Sequence, residues 1–227
     1  MSRPTHCRPQ VYELFRSQMK AIETTDGLFT AAVAIAMHEL ADAGPEKSQR
    51  EIERYAELVR RRVRSDSIDA KLAHLHDVLF DEAGFVGNSD DYYNPGNSYV
   101  PVVLDTHRGL PITLSLVYKA VAERVGVSVV GINAPLHFLA GVRDGERTML
   151  VDPFFGGRAL SREEAFERIE EVSGRVIPRV DEMLPKATHR QWIGRILQNL
   201  MSIFEHAERW RDRDAMLELR GVLVTEG

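Results

Sequence analysis

Hydrophobic positions in the first third of the chain recur at the spacing of a helix face. Val11, Leu14, Phe15, Met19 and Ile22 form one stripe, and Leu28, Ala31, Ala32, Ile35, Ala36 and Leu40 a second. Apolar residues three or four apart share one side of a 3.6-residue turn, so both segments read as amphipathic helices. Gly44-Pro45 is expected to close the second helix, since a proline cannot continue the backbone ladder. Ile52, Tyr55, Ala56, Val59 and Val63 predict a third helix, and Leu72, Leu75, Leu79 and Phe80 a fourth. Residues 84–101 then turn to Gly, Asn, Asp, Pro and Tyr. That composition reads as a long loop, and long loops in compact domains are often functional.

The pattern changes again after Gly109. A helix is expected to start at Pro111, whose fixed φ and missing N–H suit a first helical position, and to run to about Arg124 before Gly126. Val127 to Ile132, His137 to Val142 and Thr148 to Asp152 are short, rich in β-branched residues and bounded by turn residues, which predicts strands. Ser161-Arg-Glu-Glu164 and Thr188-His-Arg-Gln191 are capping boxes, each followed by a helical apolar pattern. A last helix is expected from about Asp212 to Val224. The class is therefore α+β, with helices, a small antiparallel sheet and a C-terminal helical pair.

Length and charge narrow the function. At 227 residues, 44% hydrophobic and 28% charged, the chain reads as one soluble globular unit of ordinary size. Its formal net charge of −5 argues against a nucleic-acid partner, because a phosphate backbone requires a strongly positive face. Leu28 to Ala36 is too short to span a bilayer and the N-terminus lacks an apolar signal core, so no membrane association and a cytoplasmic location are expected. The single cysteine, Cys7, excludes an internal disulfide and a thiolate metal cluster. It is read as part of a solvated N-terminal tail. His74 and His76 stand two apart on a helix and point to different faces, so no metal and no cofactor is expected.

One constellation carries chemistry. Asp144-Gly145 is the signal of a two-residue type I′ hairpin turn, which would pair Arg143 with Glu146 and, further along, His137 with Asp152. Directly opposed residues share a sheet face, so the carboxylate could hold the imidazole in one tautomer, the orienting half of a nucleophilic triad. A four-residue turn would break this register. The same pair also reads as a structural hydrogen bond at a sheet end.

The order helix, strand with His137, strand with Asp152 then Pro153 resembles the transglutaminase-like superfamily. The run Leu72-x-x-Leu75-x-x-x-Leu79-Phe80-x-x-x-Gly84-Phe85, then Asn94-Pro-Gly-Asn97-Ser98-Tyr99, Arg108-Gly-Leu-Pro-Ile-Thr-Leu-Ser115, Pro135-Leu-His137-Phe-Leu139 and Val151-Asp152-Pro-Phe154 is similar to its SirB-type branch. The resemblance implies a papain-like, cysteine-protease-type core over residues 67–180, a helical N-terminal layer over 1–66, and tetratricopeptide-like helices over 188–227. It also places the superfamily's nucleophilic cysteine on Pro111, which has no nucleophile. The expected function is accordingly a non-catalytic binding or regulatory module for a peptide, protein or acidic ligand. Ligand contacts are expected from Pro111, Tyr92, Tyr93 and Asn97. The alternative is a hydrolase or acyltransferase in which His137 and Asp152 serve Thr113, Ser115 or a water as nucleophile.

Overall fold

A computed structural model describes residues 4–225. Four helices come first: α1 (Pro9–Gln18), α2 (Thr25–Ala36), α3 (Pro45–Arg62) and α4 (Ile68–His76), the last widening into a π-type turn at Asp77–Glu82. Gly44-Pro45 opens α3 instead of closing α2, with Pro45 at the first helical position. The second helix has already ended at Ala36, where the apolar run ends. A proline that cannot continue one helix is equally suited to begin the next.

The expected long loop is more structured than its composition suggests. It contains the two-residue strand β1 (Val86–Gly87), a 3₁₀ turn at Pro95–Ser98 and the start of helix α5 (Val100–Thr106). β1 pairs in parallel with β2 (Arg108–Gly109), which leads into α6 (Pro111–Arg124). Every residue of α6 from Pro111 to Ala122 is buried, as expected of a central helix enclosed by others.

The sheet follows: β3 (Val129–Ile132), β4 (Leu139–Asp144), β5 (Arg147–Asp152) and β6 (Arg158–Leu160). After α7 (Arg162–Ser173), the short β7 (Lys186–Ala187) joins its far edge, giving the antiparallel order β6-β5-β4-β3-β7. Val129, Ala140, Val142 and Val151 face the main core, whereas Ile132, Leu139 and Leu160 pack with Ala165 of α7 on the other side. Both capping boxes form, at Ser161 for α7 and at Thr188 for α8 (His189–His206). Helix α9 (Trp210–Thr225) packs back on α8.

Two expectations are corrected. The hairpin pairs Asp144 with Arg147 and Ala140 with Val151, so its turn is Gly145-Glu146. Gly145 has φ of +57° and Glu146 has no positive φ, the pattern of a II′ turn with glycine in its first central position. The register is thus two residues away from the predicted one, and an even shift leaves each side chain on its predicted face. His137 itself lies just outside β4. The second correction is Cys7, which is buried in the main core, not solvated. The backbone N–H groups of Thr5 and Cys7 donate to the Glu218 carboxylate of α9 at 2.8 and 2.9 Å. Burial, aided by that carboxylate, pushes the Cys7 thiol up to about 12.

Candidate functional site

The site gathers where the start of α6, the segment before β4 and the end of β5 meet. Pro111 occupies the first position of α6 after Leu110, whose N–H donates to the Asn97 carbonyl at 3.0 Å. The Asn97 amide is occupied within its own loop. Its Nδ2 donates to the carbonyls of Asp91 and Tyr92 at 2.6 and 3.2 Å, and its Oδ1 accepts from Asn88 at 2.9 Å. This is the turn chemistry that Asn and Asp side chains supply. Asn97 therefore fastens the loop to the helix start and does not reach the cavity described below.

His137 and Asp152 are brought together, at 1% and 0% exposure. His137 Nε2 donates to Asp152 Oδ2 at 3.0 Å; a carboxylate only accepts, so Nε2 carries a proton, and in the neutral ring Nδ1 keeps its lone pair. The other oxygen, Oδ1, accepts the Phe154 N–H at 3.1 Å. Arg168 of α7 sets its Nε 3.8 Å from Oδ2, close enough for charge compensation but too far for a hydrogen bond. Its guanidinium carbon lies 3.8 Å from the centroid of Phe155, and the Phe155 ring is 6.1 Å from that of His137. His137 Nδ1 is buried and has no hydrogen-bond partner.

A cavity of about 110 Å³ opens beside this pair, lined by Tyr92, Pro111, Ile112, Leu136, His137, Phe138, Arg195 and Asn199. Of the sequence-predicted contacts, Pro111, Tyr92 and His137 share it. Burial raises the Tyr92 phenol, with Arg195 pulling the other way. Tyr93 lies outside, 71% exposed, stacked on His206 with ring centroids 6.1 Å apart. Neither hydroxyl candidate touches the imidazole. Thr113 Oγ1 is buried with no partner at all, and Ser115 Oγ donates to the Phe138 carbonyl at 3.5 Å. Cys7 does not line this cavity; its thiol donates to the Arg8 carbonyl at 3.6 Å.

The electrostatics of the cavity are one-sided. At the start of α6, Pro111 has no N–H and the Thr113 N–H donates to the Leu110 carbonyl at 3.1 Å, so the helix contributes chiefly the partial positive charge of its N-terminus. Arg195 Nη1 is held by the Asn133 side chain and, at 2.8 Å, by the Ala134 carbonyl. Among the described residues its Nη2 and Nε make no hydrogen bond, and no carboxylate pairs with it. Burial pushes this guanidinium below its ordinary value, the mark of a cation that has lost water without gaining a counter-charge.

The pairing of a buried imidazole with a strand-end aspartate, across a cavity from the start of an enclosed helix, agrees with what similarity finds. Residues 46–198 match the model of the transglutaminase-like superfamily. The chain belongs to that superfamily. A UPF0162 protein of Xylella fastidiosa (strain 9a5c) is 34% identical over 206 residues, spanning 89% of this chain and 73% of its own length. A UPF0162 protein of Pseudomonas aeruginosa is 33% identical over 134 residues, 58% of this chain and 48% of that one. F-box only protein 21 of Homo sapiens is 40% identical over 77 residues, 34% of this chain and 12% of its own. No solved structure matches.

Within this transglutaminase-like core, several cavity residues were not foreseen from sequence. Arg195 and Asn199 sit on α8, a helix whose capping box predicts its start but not which of its residues meet α6. Leu136 adopts φ of +54°, a conformation that nothing in Pro135-Leu136-His137 announces. Arg168 reaches Asp152 only because α7 folds back on the sheet.

Proposed function

We propose that this chain is a non-catalytic binding or regulatory module that takes an anionic group, borne by a peptide or an acidic small molecule, in the His137 cavity. The observation that carries this reading is Arg195: a largely desolvated guanidinium with no carboxylate partner among the described residues, opening with the start of α6 onto one cavity. An anion there would restore the counter-charge that burial demands. The SirB-type motifs support assignment to that branch, and the packed pair α8–α9 supports reading the C-terminus as a single tetratricopeptide-like unit. Both helices also pack on the core, α8 on α2 and α6 and α9 on α1. In this reading the protein is cytoplasmic and its partner is a peptide or protein.

The test is a titration with acetate and with inorganic phosphate, followed through the ring resonances of His137 and the side-chain resonances of Arg195. Saturable shifts that weaken about tenfold in Arg195→Ala, the loss of one charge-assisted contact, support the reading. A folded wild type whose resonances do not move with either anion refutes it.

A second reading has its own support. His137 lines a cavity with room for about three to four waters at ~30 Å³ each, so a water activated by this residue would make the protein a hydrolase. Turnover of amide or ester substrates that disappears in His137→Ala would favour it.

A further inference from the structure

We infer that the His137 cavity captures the C-terminal carboxylate of a peptide end-on, with the last apolar side chains of that peptide lying across the rim formed by Leu136, Tyr93 and Phe155. This rests on the anion-site reading above and specifies its ligand. Size comes first: at about 110 Å³ the cavity is well below the ~300–1,000 Å³ of sites that enclose a whole small ligand. What enters must be a terminal group, and the rest of the molecule must lie outside. Charge selects the group, since Arg195 and the start of α6 face the cavity.

The rim selects the body of the ligand. Leu136 lines the cavity mouth, 62% exposed and at φ of +54°. A left-handed exposed position ordinarily goes to Gly or Asn, because a branched apolar side chain there is both strained and wetted. Strain of this kind is kept where a site uses it. Phe155 is 38% exposed and its ring centroid lies 6.1 Å from that of His137. Tyr93, 71% exposed, sets its ring centroid 5.5 Å from that of Tyr92 in the cavity wall. One exposed apolar side chain thus lines a cationic cavity of terminal-group size, and two more stand beside the rings of its lining residues Tyr92 and His137. A peptide end with apolar residues before its carboxylate complements all of them.

The experiment uses the full chain and four probes: acetate, an N-acetylated Ala-Leu-Ala-Leu-Ala-Leu peptide with a free carboxylate, its carboxamide, and the carboxamide carrying one internal glutamate. Binding is read by calorimetry and by the His137 ring resonances. The free-acid peptide is expected to bind at least about tenfold more tightly than acetate or either carboxamide, the gain over acetate coming from rim burial and the gain over the carboxamides from the terminal charge. Leu136→Asn, which tolerates a left-handed backbone, and Tyr93→Ser are each expected to lower the ratio of peptide-acid affinity to acetate affinity. A carboxamide as tight as the free acid overturns the inference. So does an internal glutamate that binds as well, which would make the ligand an acidic side chain. Acetate that shifts His137 while the peptide acid gains nothing over it removes this inference alone. Acetate without effect removes the anion site and this inference together.

Discussion

Replacing Asp152 by asparagine should reverse the proton on His137. In the native site Oδ1 accepts the Phe154 N–H and Oδ2 accepts the His137 Nε2–H. An asparagine of the same shape has one acceptor and one donor to place in those two positions. The Phe154 N–H is a backbone donor fixed by the 3₁₀ turn at Pro153–Phe155, so the amide oxygen goes there and the NH₂ group faces Nε2. Nε2 must then accept, and the proton moves to Nδ1. The cost has two parts. A hydrogen bond to a charged group, worth about 1.5–3 kcal/mol, becomes neutral. Arg168, 15% exposed and 3.8 Å from Oδ2, also loses its counter-charge. Breaking a buried pair by removing one partner typically costs about 3–5 kcal/mol, and the partial exposure of Arg168 puts the expected loss at the lower end, about 3 kcal/mol. At a urea slope of about 3 kcal/mol/M this lowers the unfolding midpoint by about 1 M. Urea denaturation at pH 7 gives the stability, and ¹⁵N chemical shifts of the imidazole give the tautomer. A midpoint lowered by less than 0.3 M (~1 kcal/mol), or Nε2 still protonated in the variant, would refute the account of Asp152 as the charge that fixes this ring.

Gly131→Ala should destabilise by about 1–3 kcal/mol, read as a fall in melting temperature, because its new Cβ would stand 2.6 Å from both Phe138 and Trp192. Cys7 should react with a maleimide at pH 8 far more slowly in the folded chain than in urea, since a thiol at about 12 is only ~10⁻⁴ thiolate there and is also enclosed; equal rates would contradict its burial. His189 donates Nδ1–H to the Ile22 carbonyl at 2.8 Å, and burial lowers its pKa from 6.5, with nearby Lys119 acting in the same sense. The unfolded chain then binds that proton more readily, so the His189 contribution is complete above about pH 6.5 and declines as pH falls through and below it. Stability measured from pH 7.5 to 5 should fall less steeply in His189→Asn than in the native chain.

Much of this fold is legible because each signal is local. A capping box needs only Ser161 and Glu164, or Thr188 and Gln191, and both formed as read. The pairing of His137 with Asp152 was legible for a subtler reason. Moving the turn from Asp144-Gly145 to Gly145-Glu146 slides the strands by an even number of residues, so the imidazole and the carboxylate stay on one face. What sequence did not reveal depends on contacts between distant segments. Helix α5 directly follows a stretch rich in loop residues, is only seven residues long, and is held by packing on α2 and α6. Cys7 looked solvated because its partner, Glu218, is at the other end of the chain. Arg195 has ordinary helical neighbours, and its lack of a counter-ion exists only once α8 lies over α6.

Pro111 has a consequence for what this cavity can stabilise. A proline contributes no N–H, so at the first position of α6 the chain lacks both a side-chain nucleophile and the main-chain donor that any other residue would place there. Acyl transfer relies on such donors to hold the oxygen that turns negative as the carbonyl is attacked. A group that enters already negative makes no such demand, because its charge is fully formed before it arrives and can be met by the guanidinium alone. On the proposed reading, one ring therefore shifts the site from favouring a charge that develops during reaction to favouring one that is permanent.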